Sequence, residues 1–230
     1  MDKRKTYYLI VDTETANTFN DESGKLDTSS GLVYDCGFAI IDRKGKVYET
    51  RSFVNSDIFI HEKEMMKSAY YAEKIPNYWK QIWAGERKVA DTLEIRREMH
   101  RLMRKYKVKV AVAHNARFDT QVLNMTARYI TKSYIRFWFP YGTEVWDTLM
   151  MARSVIGKMP SFEYFCEKYD RYTKTGQKQM TAEVLYQFIT NNPEFKESHT
   201  GLEDVMIEKE IFAYCVKQHK AMRKILYKGA

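Results

Sequence analysis

No apolar run in this chain approaches the roughly 18 residues needed to cross a membrane. The first residues, MDKRKTYYLIVD, also lack the apolar segment of a secretory signal. Membrane-spanning and secreted classes are set aside, and a cytoplasmic location is expected. The three cysteines, Cys36, Cys166 and Cys215, are scattered without metal-ligand spacing. That excludes a disulfide framework and a thiolate metal site, and it predicts reduced, buried thiols. There is no internal repeat, low-complexity tract or interdomain linker. The expectation is a single domain over residues 1–230, long enough to bury a sizeable core.

Charge of one sign is in excess. Lys and Arg number 38 against 30 Asp and Glu, a formal balance of +8. A basic balance favours polyanions, either nucleic acid or an anionic membrane surface, although it also serves solubility. The cations cluster in RREMHRLMRKYKVK and ARYITKSYIR, interleaved with aromatics. On helices most of them form solvated faces. No stretch requires the isolated apolar face of a membrane-surface helix.

YYLIVD is a short β-rich run of the kind that makes a buried strand. GLVYDCGFAIID and KVYETRSFVN flank the turn Arg43–Lys46, with Gly45 inside it, and predict a β-hairpin. From Phe59 to about Lys105 the pattern is helical. Its last helix, near Val89–Tyr106, places Ile95, Met99, Leu102 and Tyr106 on one side. VKVAVAH is a fourth strand, followed by a helix over about Ala116–Thr131, and TEVW is a fifth strand. From Asp147 onward the pattern predicts helices joined by loops, with Pro160 and the polar TKTGQKQ marking two of the loops. Strands first, then helix–strand alternation, predict an α/β fold with helices packed on a mixed sheet.

Three segments carry acids in settings that suggest chemistry. Asp12 and Glu14 sit at i and i+2 in LIVDTET, so a strand aims both carboxylates at one spot. Two like charges near a core are costly unless a cation neutralises them. Two unrelated acids at an exposed strand end would be the plainer reading. Asp119 follows VAVAHNARF. There Asn115 is placed to cap a helix that carries Asp119 in its first turn, where the acid also complements the helix dipole. In HTGLEDV, Thr200 and Glu203 fit a capping box. That makes His199 and Asp204 spatial neighbours where a helix start normally pairs two apolar groups. Asp147 with Thr148 begins another helix, as a cap or as support beside the other acids. Four carboxylates without cysteine or a second nearby histidine suit Mg²⁺ or Mn²⁺ over zinc. Two such ions can clamp the attacking and leaving oxygens of a phosphoryl transfer, and a histidine can accept the proton of the attacking water.

VDTET, HNARFD and HTGLED resemble, in order, the D-x-E, N-x-x-x-D and H-x-x-x-x-D motifs of the DEDD exonuclease superfamily. The histidine points to its DEDDh, DnaQ-like branch, which includes the polymerase III proofreading subunits and ribonuclease T. VWDTLMMAR is similar to a D-T/S-L segment of the proofreading subunits. The resemblance spans about residues 6–217. It implies a ribonuclease H-like α/β fold, a five-stranded mixed sheet flanked by helices. It implies two Mg²⁺, with Mn²⁺ able to substitute. Asp12, Glu14 and Asp204 would hold the ion that carries the attacking water. Asp12 and Asp119 would serve the second ion, and His199 would be the general base. Thr15, Asn115 and Phe118 are implied as substrate-binding positions.

The implied activity is 3′→5′ exonucleolytic release of nucleoside 5′-monophosphates from single-stranded 3′ ends, with DNA the first expectation. An RNA-trimming enzyme and a non-catalytic nucleic-acid-binding or polymerase accessory protein stay open. If the protein proofreads, a polymerase would be its partner in trans. The chain departs from the family where Thr15-Ala-Asn17-Thr replaces the usual T-T-G-L, removing a glycine and an apolar wedge. Phe19 in the polar stretch 17–30 is a candidate base-stacking surface. SAYYAEKIPNYW stands where the family usually reads H-G-I-T/S.

Overall fold

Alternation along one strand organises the molecule. The computed structural model describes residues 2, 4–16, 31–67, 69 and 72–228; the Phe19 expectation lies outside them. Strand β1, Tyr7–Ala16, is almost entirely buried. Tyr7, Leu9 and Val11 enter one hydrophobic core, and Tyr8 and Ile10 enter another on the opposite face. This is the period-2 consequence of a strand covered on both sides.

β1 pairs antiparallel with β2, Leu32–Asp42, which pairs antiparallel with β3, Val47–Asn55. On its other side β1 pairs parallel with β5, Val110–Ala113, and β5 with β6, Glu144–Asp147. These are the five strands expected from the sequence. Among the described residues the sheet has seven, in the order β4 (Lys88–Ala90), β3, β2, β1, β5, β6 and β7 (Ile225–Tyr227). β4, Lys88–Ala90, runs parallel to β3, and β7, Ile225–Tyr227, runs antiparallel to β6. Both added strands are three-residue edges, too short to show an alternation in the sequence and formed only because a neighbour offers open backbone groups.

β4 also interrupts the expected helical stretch, and β7 corrects the all-helical reading of the C-terminal part. The helix expected from Val89 begins at Thr92, because Val89 pairs with Val54. Asp91 Oδ1 caps that helix by accepting the Glu94 N–H at 2.6 Å.

The helices are α1 Ser56–Phe59, α2 Lys63–Lys67, α3 Ile75–Trp83, α4 Thr92–Tyr106, α5 Ala116–Ile130, α6 Thr148–Val155, α7 Pro160–Tyr169, α8 Ala182–Thr190 and α9 Gly201–Lys217. α4 and α5 cover the Tyr7–Leu9–Val11 face, and Ile95, Met99, Leu102 and Tyr106 of α4 are buried as their spacing predicts. α6, α7, α8 and α9 cover the other face. All three cysteines are free and buried. Among the described residues no helix is long and apolar enough to cross a membrane.

Candidate metal-binding active site

Beyond Val11, the two faces of β1 become polar. Asp12 and Glu14 continue the face that carries α9, while Thr13 points to the α5 side, where its hydroxyl donates to Asp119 Oδ1 at 2.9 Å. A register shift between Glu14 and Thr15 interrupts the pairing with β2, which resumes at Thr15 with Val33. Such a bulge bends the strand and re-aims the residues around it.

The start of α9 reaches these acids because two glycines meet. Asp12 pairs with Gly37 of β2. A Cβ on Gly37 would lie 2.2 Å from the Gly201 carbonyl carbon and the Leu202 nitrogen, and one on Gly201 would lie 2.7 Å from the Gly37 nitrogen. The helix therefore lies directly on the strand backbone. Gly37→Ala is expected to push α9 away, destabilising the fold by about 1–3 kcal/mol through overpacking and misplacing Asp204. Thermal unfolding and metal-binding measurements on that variant check this, and unchanged values would show that the close approach is dispensable.

One ligand oxygen from each of Asp12, Glu14 and Asp204 lies within 4.8 Å of the others. Burial, then the charge of Glu208 and the neighbouring acids, pushes the Asp12 carboxyl well above its usual range. Burial, Asp35 and Asp204 do the same to Glu14. Asp204 is pushed up to about 8, mainly by burial and then by Glu197. Asp119 is raised to about 7 by burial, against the lowering effect of the Thr13 hydroxyl. Asp204 Oδ1 is buried without a hydrogen-bond partner. Buried like charges and an unpaired acceptor are costly by themselves and favourable around a cation. The all-oxygen set fits a hard divalent ion, so the cluster can hold a metal.

His199 lies beside this group. A ring nitrogen of His199 and carboxylate oxygens of Glu197 and Asp204 come within 4.8 Å of one another. Its Nδ1 is 3.9 Å from Glu197 Oε2. Burial, then the Lys74 charge, lowers the His199 pKa, which favours the neutral ring. Glu197, by contrast, is raised to about 7 by burial and then by Glu183. The His199 backbone is left-handed, with φ +50°, a conformation that costs a non-glycine residue roughly 1–2 kcal/mol. Lys74 holds this segment by donating to the Ser198 and His199 carbonyls. The capping box expected here does not form: Thr200 is the N-cap residue but makes no side-chain cap bond. Its hydroxyl donates instead to Glu203 Oε2 at 2.7 Å, because Glu203 is drawn toward Arg87.

Asn115 also departs from expectation. It stands at the N-cap of α5 in a left-handed conformation, φ +61°, with no side-chain cap bond. The tight β5–α5 turn imposes that conformation, and its side chain is exposed rather than turned onto the helix. Its N–H donates to Asp147 Oδ1 at 3.2 Å. The same Asp147 oxygen caps α6 by accepting from Leu149 and Met150, and the Asp147 charge acts on Asp119. Asp147 is thus both a cap and a neighbour of the acids. Thr15 is buried, and Phe118 is half-buried against the α4–α5 core.

Several residues of this region escape the sequence motifs. Asp35, fully buried and opposite Glu14 on β2, accepts from the Tyr78 hydroxyl at 2.6 Å, from Arg87 Nη1 at 3.1 and 3.0 Å, and from the Gly201 N–H at 3.0 Å. Arg87 Nη2 donates to Glu203 at 3.0 Å. Asp35 therefore ties β2 to the first peptide of α9. An acid inside the apolar run GLVYDCGFAIID was the available signal. Glu208 lies one turn beyond Asp204 on the buried stripe of α9, where an ionisable residue among apolar neighbours was the signal. Glu197, two residues before His199, carried none.

No family model and no curated protein matches this chain. Solved structures share its fold. One is exonuclease I in complex with the inhibitor BCBP, with a TM-score of 0.55 and 15% identity over 95% of this chain and 42% of that one. Another is E. coli exonuclease I in complex with a 5cy-dT13 oligonucleotide, with a TM-score of 0.52 and 14% identity over 89% and 39%. A third is exonuclease I in its apo form, with a TM-score of 0.51 and 15% identity over 90% and 41%. The chain spans about two-fifths of the length of these exonuclease I chains. At identities this low the structural likeness shows a common fold and nothing more.

Proposed function

We propose that this chain is a metal-dependent 3′→5′ exonuclease of the DEDDh type, on a ribonuclease H-like fold, that removes nucleoside 5′-monophosphates from single-stranded DNA ends. The observation that carries the reading is the convergence of Asp12, Glu14 and Asp204 within 4.8 Å, beside His199. Asp12, Glu14 and Asp204 would hold one divalent ion, and Asp12 with Asp119 a second; Mg²⁺ fits the oxygen donors and Mn²⁺ would substitute. When bound, such ions supply an acidified water and neutralise charge on the leaving oxygen.

The chain's own residues do the rest. His199, kept neutral by burial and by Lys74, accepts the proton of the attacking water. Glu197 faces its Nδ1 and stabilises the ring once it is charged. Thr13 orients Asp119 by donating its hydroxyl to Oδ1. Exposed Asn115, half-buried Phe118 and the backbone at Thr15 are the proposed contacts to the terminal nucleotide. The positive balance of the chain favours the phosphate backbone of the substrate.

A cleavage ladder tests the reading. 5′-labelled single-stranded DNA and RNA of one sequence are incubated with the protein and Mg²⁺ or Mn²⁺. Stepwise shortening from the 3′ end, lost with EDTA or a 3′-blocked oligonucleotide, is the expected result. Preference for the RNA strand would convert the reading to an RNA-trimming enzyme. No cleavage of either strand with either metal would leave a non-catalytic binding protein. His199→Ala is expected to slow turnover by about 10²–10⁴-fold while metal binding, followed by calorimetry, is retained. An undiminished rate would remove His199 from the mechanism.

A further inference from the structure

We infer that Glu208 is a fifth metal-facing carboxylate of this site, on the side shared by Asp12 and Asp119, and that it sets the affinity of the ion bound there. The inference rests on the metal-dependent reading above.

Glu208 follows Asp204 by one helical turn, so both side chains leave α9 on the same face, toward β1. It is 2% exposed. Its two oxygens are used differently. Oε1 accepts the His114 N–H at 3.0 Å, at the end of β5 and immediately before the turn into α5. Oε2 is buried and has no hydrogen-bond partner.

The carboxylate therefore spans the gap between α9 and the β5–α5 turn, with one oxygen anchored and the other open. Its charged neighbours are Asp119, Asp204 and Glu197. The Glu208 charge also acts on Asp12. Among the described residues, Asp204 Oδ1 is the other buried side-chain oxygen left without a partner.

A glutamate whose role was packing would have both oxygens satisfied, since an unpaired buried acceptor costs about 1–3 kcal/mol. A cation, bound either directly or through one of its waters, accounts for an open oxygen on a carboxylate whose charge acts on Asp12 and whose neighbours include Asp119. The anchored oxygen serves orientation: the His114 N–H fixes the carboxylate plane, as a preorganised ligand requires.

Glu208→Gln separates these roles. The amide oxygen can still accept from His114, while the negative charge at the open position is gone. Mn²⁺ binding to the full chain is followed by electron paramagnetic resonance, and melting temperature is measured with and without Mn²⁺. The expected result is one Mn²⁺ weakened by about 10–100-fold, with the other little changed. The metal-free melting temperature should rise, because a buried charge has been removed from an acidic cluster.

Wild-type affinity at both sites in a folded Glu208→Gln protein would overturn the inference. A variant that does not fold is replaced by Glu208→Asp, which keeps the charge and shortens the reach by one methylene. The same weakening is expected in it, and wild-type affinity would be equally decisive against. Failure of the wild-type protein itself to bind Mn²⁺ is a separate outcome. That result would remove the metal-dependent reading, and this inference with it.

Discussion

Asp12→Ala is expected to lower strand cleavage by at least about 10³-fold, because the several kcal/mol supplied by bound cations convert at about 1.4 kcal/mol per decade. The same substitution should leave the fold intact and raise its metal-free melting temperature. Both effects have one origin. Asp12 is raised by burial and by the charges of Glu208, Asp119, Glu14 and Asp204, so in metal-free protein its ionised form is costly and its loss relieves the neighbours. The cation-induced rise in melting temperature expected of the wild type should shrink in the variant, since stabilisation follows affinity for the native state.

A pH series makes the origin visible. Groups whose carboxyls are raised in the folded state contribute stability below their unfolded pKa and lose it as pH rises through the folded value. From ordinary values of 3.8 for Asp119 and Asp204 and 4.5 for Glu197, the loss begins near those values and is complete only near 7 for Asp119 and Glu197 and near 8 for Asp204. The metal-free wild-type protein should therefore melt lower at pH 9 than at pH 6, and saturating Mg²⁺ should flatten the difference. Full cleavage by Asp12→Ala would refute the metal assignment. A metal-free melting temperature independent of pH would refute the electrostatic account.

Arg87→Ala is expected to destabilise the protein by about 3–5 kcal/mol, a large share of the roughly 5–15 kcal/mol that holds a domain folded. Arg87 and Asp35 side chains are 2% and 0% exposed. Without the guanidinium, Asp35 keeps the Tyr78 hydroxyl and the Gly201 N–H, but no opposite charge. Urea unfolding measures the loss. The paired variant Asp35→Ala with Arg87→Ala should cost less than the two single variants summed, because the second change removes a charge already orphaned. A single-variant loss within about 0.5 kcal/mol, the range of ordinary surface changes, would show that the pair does not anchor α9. Cleavage by Arg87→Ala should fall as well, since Gly201 is the first residue of the helix that carries Asp204.

The features legible in the sequence are local ones. Period 2 puts Asp12 and Glu14 on one face of a strand whatever packs against it. The spacing of Ile95, Met99, Leu102 and Tyr106 determines which side of α4 is buried. Gly45 marks the hairpin turn because only a residue tolerant of φ +78° closes it readily. The three polar motifs could be read as one site by resemblance, without knowledge of which helix would lie on which strand.

Tertiary structure decided what depends on partners distant in the chain. Asn115 is barred from its expected cap by the left-handed turn it occupies, and the capping box at Thr200 yields to the pull of Arg87 on Glu203, 116 positions away. β4 and β7 exist only because β3 and β6 present unpaired edges to them. Asp35 meets the Gly201 N–H across 166 residues, and Glu208 meets the His114 N–H across 94. No local rule can foresee such pairs: a buried charge is tolerated only where the folded chain brings it a donor, a counter-charge or an ion, and those come from wherever the topology delivers them.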